Sequence, residues 1–255
     1  MKRIRRWQVA QKREAAFHRW RFRSKEEHCR PITSKKTMQS LSAIATRQSS
    51  MEHMVGVQPT CLREVCLLEI GGHNFADIDL LEVKTRHKMV LDPLPWEIIS
   101  DDCEYIKGVG EFIPLKSNSV HICWITNTID HCADPPLVLQ EIRRVLADSG
   151  HLVISCNVFA SWTYPLFPIF NRIDGPHPWH FTRMSFLQLI RKGGFECEVV
   201  FPPRKPTVRR RRKLTSNFKI LLGRIMGLMY IHLRCLPIQN TSLACTSALQ
   251  QPKGR

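Results

Sequence analysis

Three groups of residues in this chain are of types and at spacings that do chemistry. Glu69, Gly71 and Gly72 close an apolar run, and Asp92 closes the next one. Glycines after a strand let the backbone approach a ligand closely. A carboxylate ending the neighbouring strand can accept both hydroxyls of a ribose. In that order the two features read as the grip on a single nucleoside. The third group is the loop from Gly175 to Phe181, with His177 and His180 beside Pro and Trp. Imidazoles there suit a pocket wall or a proton acceptor near neutral pH. Their HxxH spacing also suits a metal, but the sequence offers no convincing third ligand, so no metal site is expected.

The elements that must position these groups follow from hydrophobic periodicity. Strands are expected over 65–70, 88–92, 105–107, 120–125, 151–155 and 195–201. Helices are expected over 75–84, 137–146 and 182–192, the second started by Asp134 with Pro135 and Pro136 and the third ended by Gly193 and Gly194. Residues 148–150 read as a turn. Several strands are apolar without alternation, which argues for a parallel sheet covered on both faces. Ligands of such sheets bind beyond the carboxyl ends of the strands, here near Gly71, Asp92, the loop after Lys107, Asn127 and Ser155.

Charge divides the chain. Residues 1–50 carry 14 Lys/Arg against 3 Asp/Glu, and residues 201–255 carry 12 against none, around an acidic middle. Residues 4–27 read as a helix and 28–60 as a polar linker. Acidic partners should meet the ends, including the run 209–213. Weak salt-sensitive contact with nucleic acid or an anionic membrane through 1–50 and 209–213 is therefore expected. The 10 cysteines contain no CxxC pair, and Cys66, Cys123 and Cys156 lie in apolar runs. Reduced buried thiols and a cytoplasmic location are expected rather than a disulfide framework or zinc site. The first residues lack the apolar h-region of a secretory signal, so none is expected, and their Arg-rich, acid-poor character suits a transit peptide. The apolar stretch 217–236 contains too many charges for a confident membrane span.

The ordered motifs add a resemblance. The loop 108–115 (GVGEFIPL), the segment 117–125 (SNSVHICWI), the segment 127–135 (NTIDHCADP) and the helix 141–146 (EIRRVL) follow the strand ending in EIGG. This series resembles the type 11 methyltransferases of class I. Their pattern runs E-I-G-x-G, an acidic residue after strand 2, G-D-x-E-x-L-P-F, D-N-S-F-D-V, L-x-H-x-x-D-P and E-I-x-R-V-L-K-P-G-G. The resemblance covers about residues 64–201. It implies an α/β, Rossmann-like doubly wound sheet of mostly parallel strands, with an antiparallel last strand and helices on both faces. It also makes residues 14–20 similar to the helix that often precedes such domains, and 218–228 and 229–235 similar to the last helix and seventh strand. The implied division is a basic arm over 1–50, a methyltransferase-like domain over 51–237 and a tail over 238–255.

The same resemblance implies the roles. S-adenosyl-L-methionine would be the cofactor. Glu69, Gly71 and Gly72 would line its methionine portion, Asp92 would hold its ribose, the backbone at Gly110 and Glu111 would face adenine, and Asn127 would sit near the sulfonium. His131 falls at the family's L-x-H position, where it orients the substrate or packs beneath the site. His131, His177 and His180 are thus the catalytic candidates, acting on a small-molecule, glycan or lipid-type acceptor. Two residues depart from the pattern: His73 replaces the family's second loop glycine, and Val109 replaces an acidic residue that accepts from the adenine amino group. They make a catalytically silent scaffold, acting through the basic arms, the alternative to an enzyme. A nicotinamide-dependent oxidoreductase is disfavoured, because the three-glycine fingerprint is absent after strand 1.

Overall fold

A computed structural model describes residues 7–9, 11–12, 65–71, 85–94, 103–173, 177–204 and 226–238. Eight strands form one sheet: β1 (Cys66–Ile70), β2 (His87–Asp92), β3 (Glu104–Lys107), β4 (Val120–Thr126), β5 (Leu146–Phe159), β6 (Phe181–Thr182), β7 (Phe195–Arg204) and β8 (Met229–Pro237). Among the described residues it is accompanied by the α-helices α1 (Pro135–Val145), α2 (Phe167–Ile173) and α3 (Arg183–Lys192).

The sheet order is β3-β2-β1-β4-β5-β8-β7, with β6 added alongside β5. Strands β1 to β5 pair in parallel, and β8 runs antiparallel to both β5 and β7. From β1 the chain builds outward through β2 to β3, then returns to place β4 on the other side. The strand order therefore reverses between β1 and β4, and the crevice at such a reversal is where α/β sheets bind ligands.

Burial explains the apolar runs. Every residue of β1 is buried, and β4 hides Val120, Ile122, Cys123, Trp124 and Ile125. Helix α1 turns Val138, Leu139, Ile142 and Val145 into the core. Asp134 caps it, accepting from the Leu137 amide at 3.4 Å, and Pro135 stands in the first turn, where its missing N–H costs nothing. Helix α3 starts with a reciprocal bond between Thr182 and Ser185. An added Cβ at Gly193 would lie 2.8 Å from Leu139 Cβ, so the end of α3 packs directly on α1.

Three expectations need correction. Residues 148–150 do not separate a helix from a fresh strand. They lie within β5, as an excursion between the pairs Val120–Leu146 and Ile122–His151. Residues 226–227, expected to belong to the last helix, form a turn before β8. The thiols are not all reduced: Cys197 and Cys235 form a disulfide. They are direct cross-strand partners on β7 and β8, 38 positions apart in sequence, with Cα atoms 4.1 Å apart. Only the strand register brings them together. Cys66, Cys123 and Cys156 are buried thiols outside the disulfide, as expected.

Residues 7–9 and 11–12 are helical. The remainder of the 4–27 helix, the linker, Gly72, His73, the 75–84 helix, the 209–213 run and most of 218–228 lie outside the described residues. No helix among the described residues is long and apolar enough to cross a membrane.

Candidate functional site

The tips of β1 and β2 are neighbours. The Gly71 amide donates to Leu91 O at 2.8 Å, so Gly71 stands beside Asp92 across the ladder. Gly71 adopts φ +81°, a left-handed conformation open to glycine. Its absent Cβ is needed for a second reason. A methyl there would lie 2.2 Å from Thr128 Cγ2. The glycine thus lets the β1 tip close against the segment after β4. Asp92 is buried, and its Oδ1 accepts from the Leu94 amide at 2.8 Å, which bends the chain away from the strand.

The loop after β3 is packed from behind. A Cβ on Gly110 would meet Val138 at 3.1 Å and Ile70 at 3.2 Å. Glu111 is buried, and its Oε1 accepts from the amides of Ala133 at 2.7 Å and Asp134 at 3.0 Å. Its carboxylate therefore ties this loop to the start of α1. Further along, Glu141 accepts from the Ile113 amide, while Arg144 donates to Ile113 O and Leu115 O, each at 2.8 Å.

Asn127 follows β4 with φ +52°, and its amide donates to Ser155 O at 2.8 Å. Its Oδ1 accepts from Asn157 Nδ2 at 2.7 Å. The Asn127 side chain is thus oriented by a residue of β5 that the sequence did not single out. Asn157 sits inside a long apolar run, which hides it. Thr128 donates to Thr126 O at 3.0 Å, fixing the turn into a short 3-10 segment, Ile129–His131.

The carboxylates gather around this segment. Burial pushes the Cys132 thiol well above the ordinary thiol range, and the charges of Glu111, Asp130 and Asp92 push it further, in that order. The Cys156 thiol rises for the same first reason, with Asp130 next. Glu111 reaches this segment through its bonds to the Ala133 and Asp134 amides, and Asp130 lies within it. Asp130, which sequence reading passed over in favour of His131, is 5% exposed, and no described residue hydrogen-bonds its Oδ1.

The histidines separate. The rings of His131 and His177 meet edge-on, with centroids 4.4 Å apart. With Asp130 they form a set whose potential ligand atoms lie within 4.8 Å of one another. The third member is thus Asp130 and not His180, the partner that the HxxH spacing suggested. Trp179 fastens the two segments: its amide donates to Asp130 O at 3.3 Å and its Nε1 to Cys132 O at 2.9 Å. His180 points elsewhere, into the rings of Phe159, Phe167 and Phe170 at 5.7–5.9 Å.

Comparison with known proteins bears on the fold. Residues 67–154 match the family model described as a methyltransferase domain. The malonyl-[acyl-carrier protein] O-methyltransferase of Erwinia pyrifoliae is 32% identical over 85 residues, 33% of this chain and 29% of that protein. The uncharacterized protein YafS of Escherichia coli is 44% identical over 43 residues, 17% of this chain and 18% of that one. The chain thus spans less than a third of the length of either curated relative. A geranyl diphosphate methyltransferase solved with S-adenosylmethionine superposes with a TM-score of 0.61 at 12% identity, covering 82% of this chain and 93% of that one. The YcgJ protein from Bacillus subtilis gives 0.58 at 11% identity, covering 74% and 99%. Identities this low speak for the fold alone.

Proposed function

We propose that the chain, which carries a class I methyltransferase domain of type 11, moves a methyl group from S-adenosylmethionine to a small acceptor held beside residues 161–170. The observation that carries this reading is the side-by-side placement of Gly71 and Asp92 at neighbouring strand tips, where the strand order reverses. Buried carboxylates need positive charge or hydrogen-bond donors. Glu111 Oε1 accepts from two backbone amides and Asp92 Oδ1 from one, and the carboxylates of Asp92, Glu111 and Asp130 together supply negative potential. A cationic sulfonium nucleoside fits that potential, with Asp92 toward the ribose and Asn127, held by Asn157, toward the methionine end.

When bound, S-adenosylmethionine supplies a methyl group on a sulfonium that is already a good leaving group. The chain's own residues then position and exclude water. They would align an acceptor lone pair with that methyl group, and the acceptor's proton would pass to solvent or to a histidine. Much of the rate in such a displacement comes from alignment. The acceptor side is the segment after β5. There Trp162, Tyr164 and Ile169 are 56–63% exposed, beside the rings of Phe159, Phe167 and Phe170. This surface suits an acceptor with an apolar body, such as a lipid-linked molecule.

Incubating the purified chain with methyl-labelled S-adenosylmethionine and fractionated cell extract tests the reading. Label should enter a small-molecule fraction and disappear with Asp92→Ala. No transfer above a protein-free control, from folded and cofactor-bound protein, would overturn it.

A further inference from the structure

The cluster of Asp130, His131 and His177 has a chemistry that nucleoside binding does not use. Two imidazoles and one carboxylate are a common ligand set for zinc and for other first-row divalent ions, and in catalytic sites such sets leave a position open. Three observations bring the set together here. The candidate ligand atoms lie within 4.8 Å of one another. Asp130 is 5% exposed, and its Oδ1 has no hydrogen-bond partner among the described residues, because His131 Nε2 stands 3.9 Å away, beyond hydrogen-bond reach. Trp179 pins the His177 loop onto the Asp130–Cys132 backbone through two hydrogen bonds, so the ligands from separate segments share one frame. A buried carboxylate oxygen without a donor is costly, and a cation offsets that cost.

We propose that Asp130, His131 and His177 form a divalent transition-metal site whose open position holds the acceptor's oxygen or sulfur atom. The role assigned to the site rests on the methyltransferase reading; the metal site itself does not. Metal bonds of about 2.1 Å would draw the three side chains together by roughly 1 Å. An ion there would lower the pKa of a bound hydroxyl or thiol, as zinc does for water. The acceptor would then lose its proton to solvent before its lone pair attacks the methyl carbon. The placement is suitable, since Asp130 follows Asn127 by three residues at the same strand tip.

Cobalt(II) titration of the full-length, metal-stripped protein tests the site, because tetrahedral cobalt is coloured and reports its ligands. The expected result is one equivalent showing visible ligand-field bands without the near-ultraviolet band of a cobalt–thiolate bond. His177→Ala and Asp130→Asn should each weaken cobalt by about tenfold or more, an effect in the range seen when metal-site residues are altered, while His180→Ala should not. If Asp130→Asn fails to fold, His177→Ala decides alone. Acetohydroxamate should shift the bands by entering the open position. Absence of bands, a thiolate signature, or cobalt affinity unchanged in His177→Ala would overturn the site. A bound ion indifferent to acetohydroxamate would overturn its acceptor role. Calorimetry with S-adenosylmethionine on the same samples separates the two readings, since cofactor binding should survive His177→Ala.

Discussion

Arg144 and Glu141, one turn apart on α1, form a two-pronged ion pair: Nε meets Oε1 at 2.7 Å and Nη2 meets Oε2 at 2.8 Å. Their remaining hydrogen bonds go to the backbone of Ile113 and Leu115. The pair thus clamps the loop that carries Gly110 and Glu111 to the helix behind it.

Glu141→Gln should loosen that clamp. We expect a loss of about 1–2 kcal/mol, since charged hydrogen bonds are replaced by weaker neutral ones. The Arg144 guanidinium holds the Glu141 carboxyl below its ordinary value of 4.5, with the Ile113 amide assisting. A lowered folded value gives stability that is complete above 4.5 and lost as pH falls through the folded value. Chemical denaturation from pH 7 to pH 3 should therefore show the gap between wild type and Glu141→Gln narrowing in acid. A gap that stays constant would contradict the clamp.

Gly71→Ala should be among the most damaging single-methyl changes in the chain. The new Cβ would combine a left-handed φ with a 2.2 Å approach to Thr128 Cγ2. The two costs together predict a loss of about 2–4 kcal/mol by thermal unfolding. A loss under about 0.5 kcal/mol, as at ordinary surface positions, would show that the tip of β1 is not packed as described.

Glu111 offers a graded test. Glu111→Gln keeps an oxygen for the amides of Ala133 and Asp134, while Glu111→Ala leaves both without it. The alanine variant should lose about 2–4 kcal/mol and the glutamine variant less than half of that. Equal effects in urea titrations would mean that the carboxylate's charge, and not its hydrogen bonding, matters there.

Trp179→Phe removes the bond to Cys132 O while leaving the backbone bond to Asp130 intact. The stability cost should be only about 1 kcal/mol. The His177 loop should nonetheless loosen, read as faster amide hydrogen exchange over residues 177–182. Unchanged exchange would show that the side chain does not fasten the loop.

How far the sequence spoke depends on the residue. Strands β1, β2 and β4 announced themselves as apolar runs because both their faces are covered, and Asp134 with two prolines marked the start of α1. Gly71 and Asp92 were legible as strand ends, and the sheet does make them neighbours. The reason for Gly71 was only half visible, because its clash partner, Thr128, is 57 positions away. Asp130 was hidden beside a more conspicuous histidine, and its burial is a property of the fold. Asn157 reads as an interruption in an apolar strand until β4 and β5 are set side by side. The Cys197–Cys235 bond follows from antiparallel register, which composition and spacing do not encode.

The central claim is that neighbouring strand tips, with Asp92 among their carboxylates, hold one sulfonium nucleoside. Calorimetric titration of S-adenosylmethionine into wild type and into Asp92→Asn tests it most directly, because asparagine can still accept the Leu94 turn bond. Saturable one-site binding to wild type is expected, weaker by about tenfold or more in the variant, a cost of roughly 1.4 kcal/mol, at equal thermal stability. No heat of binding to the folded wild-type chain at millimolar ligand, or equal affinity in both proteins, would contradict it.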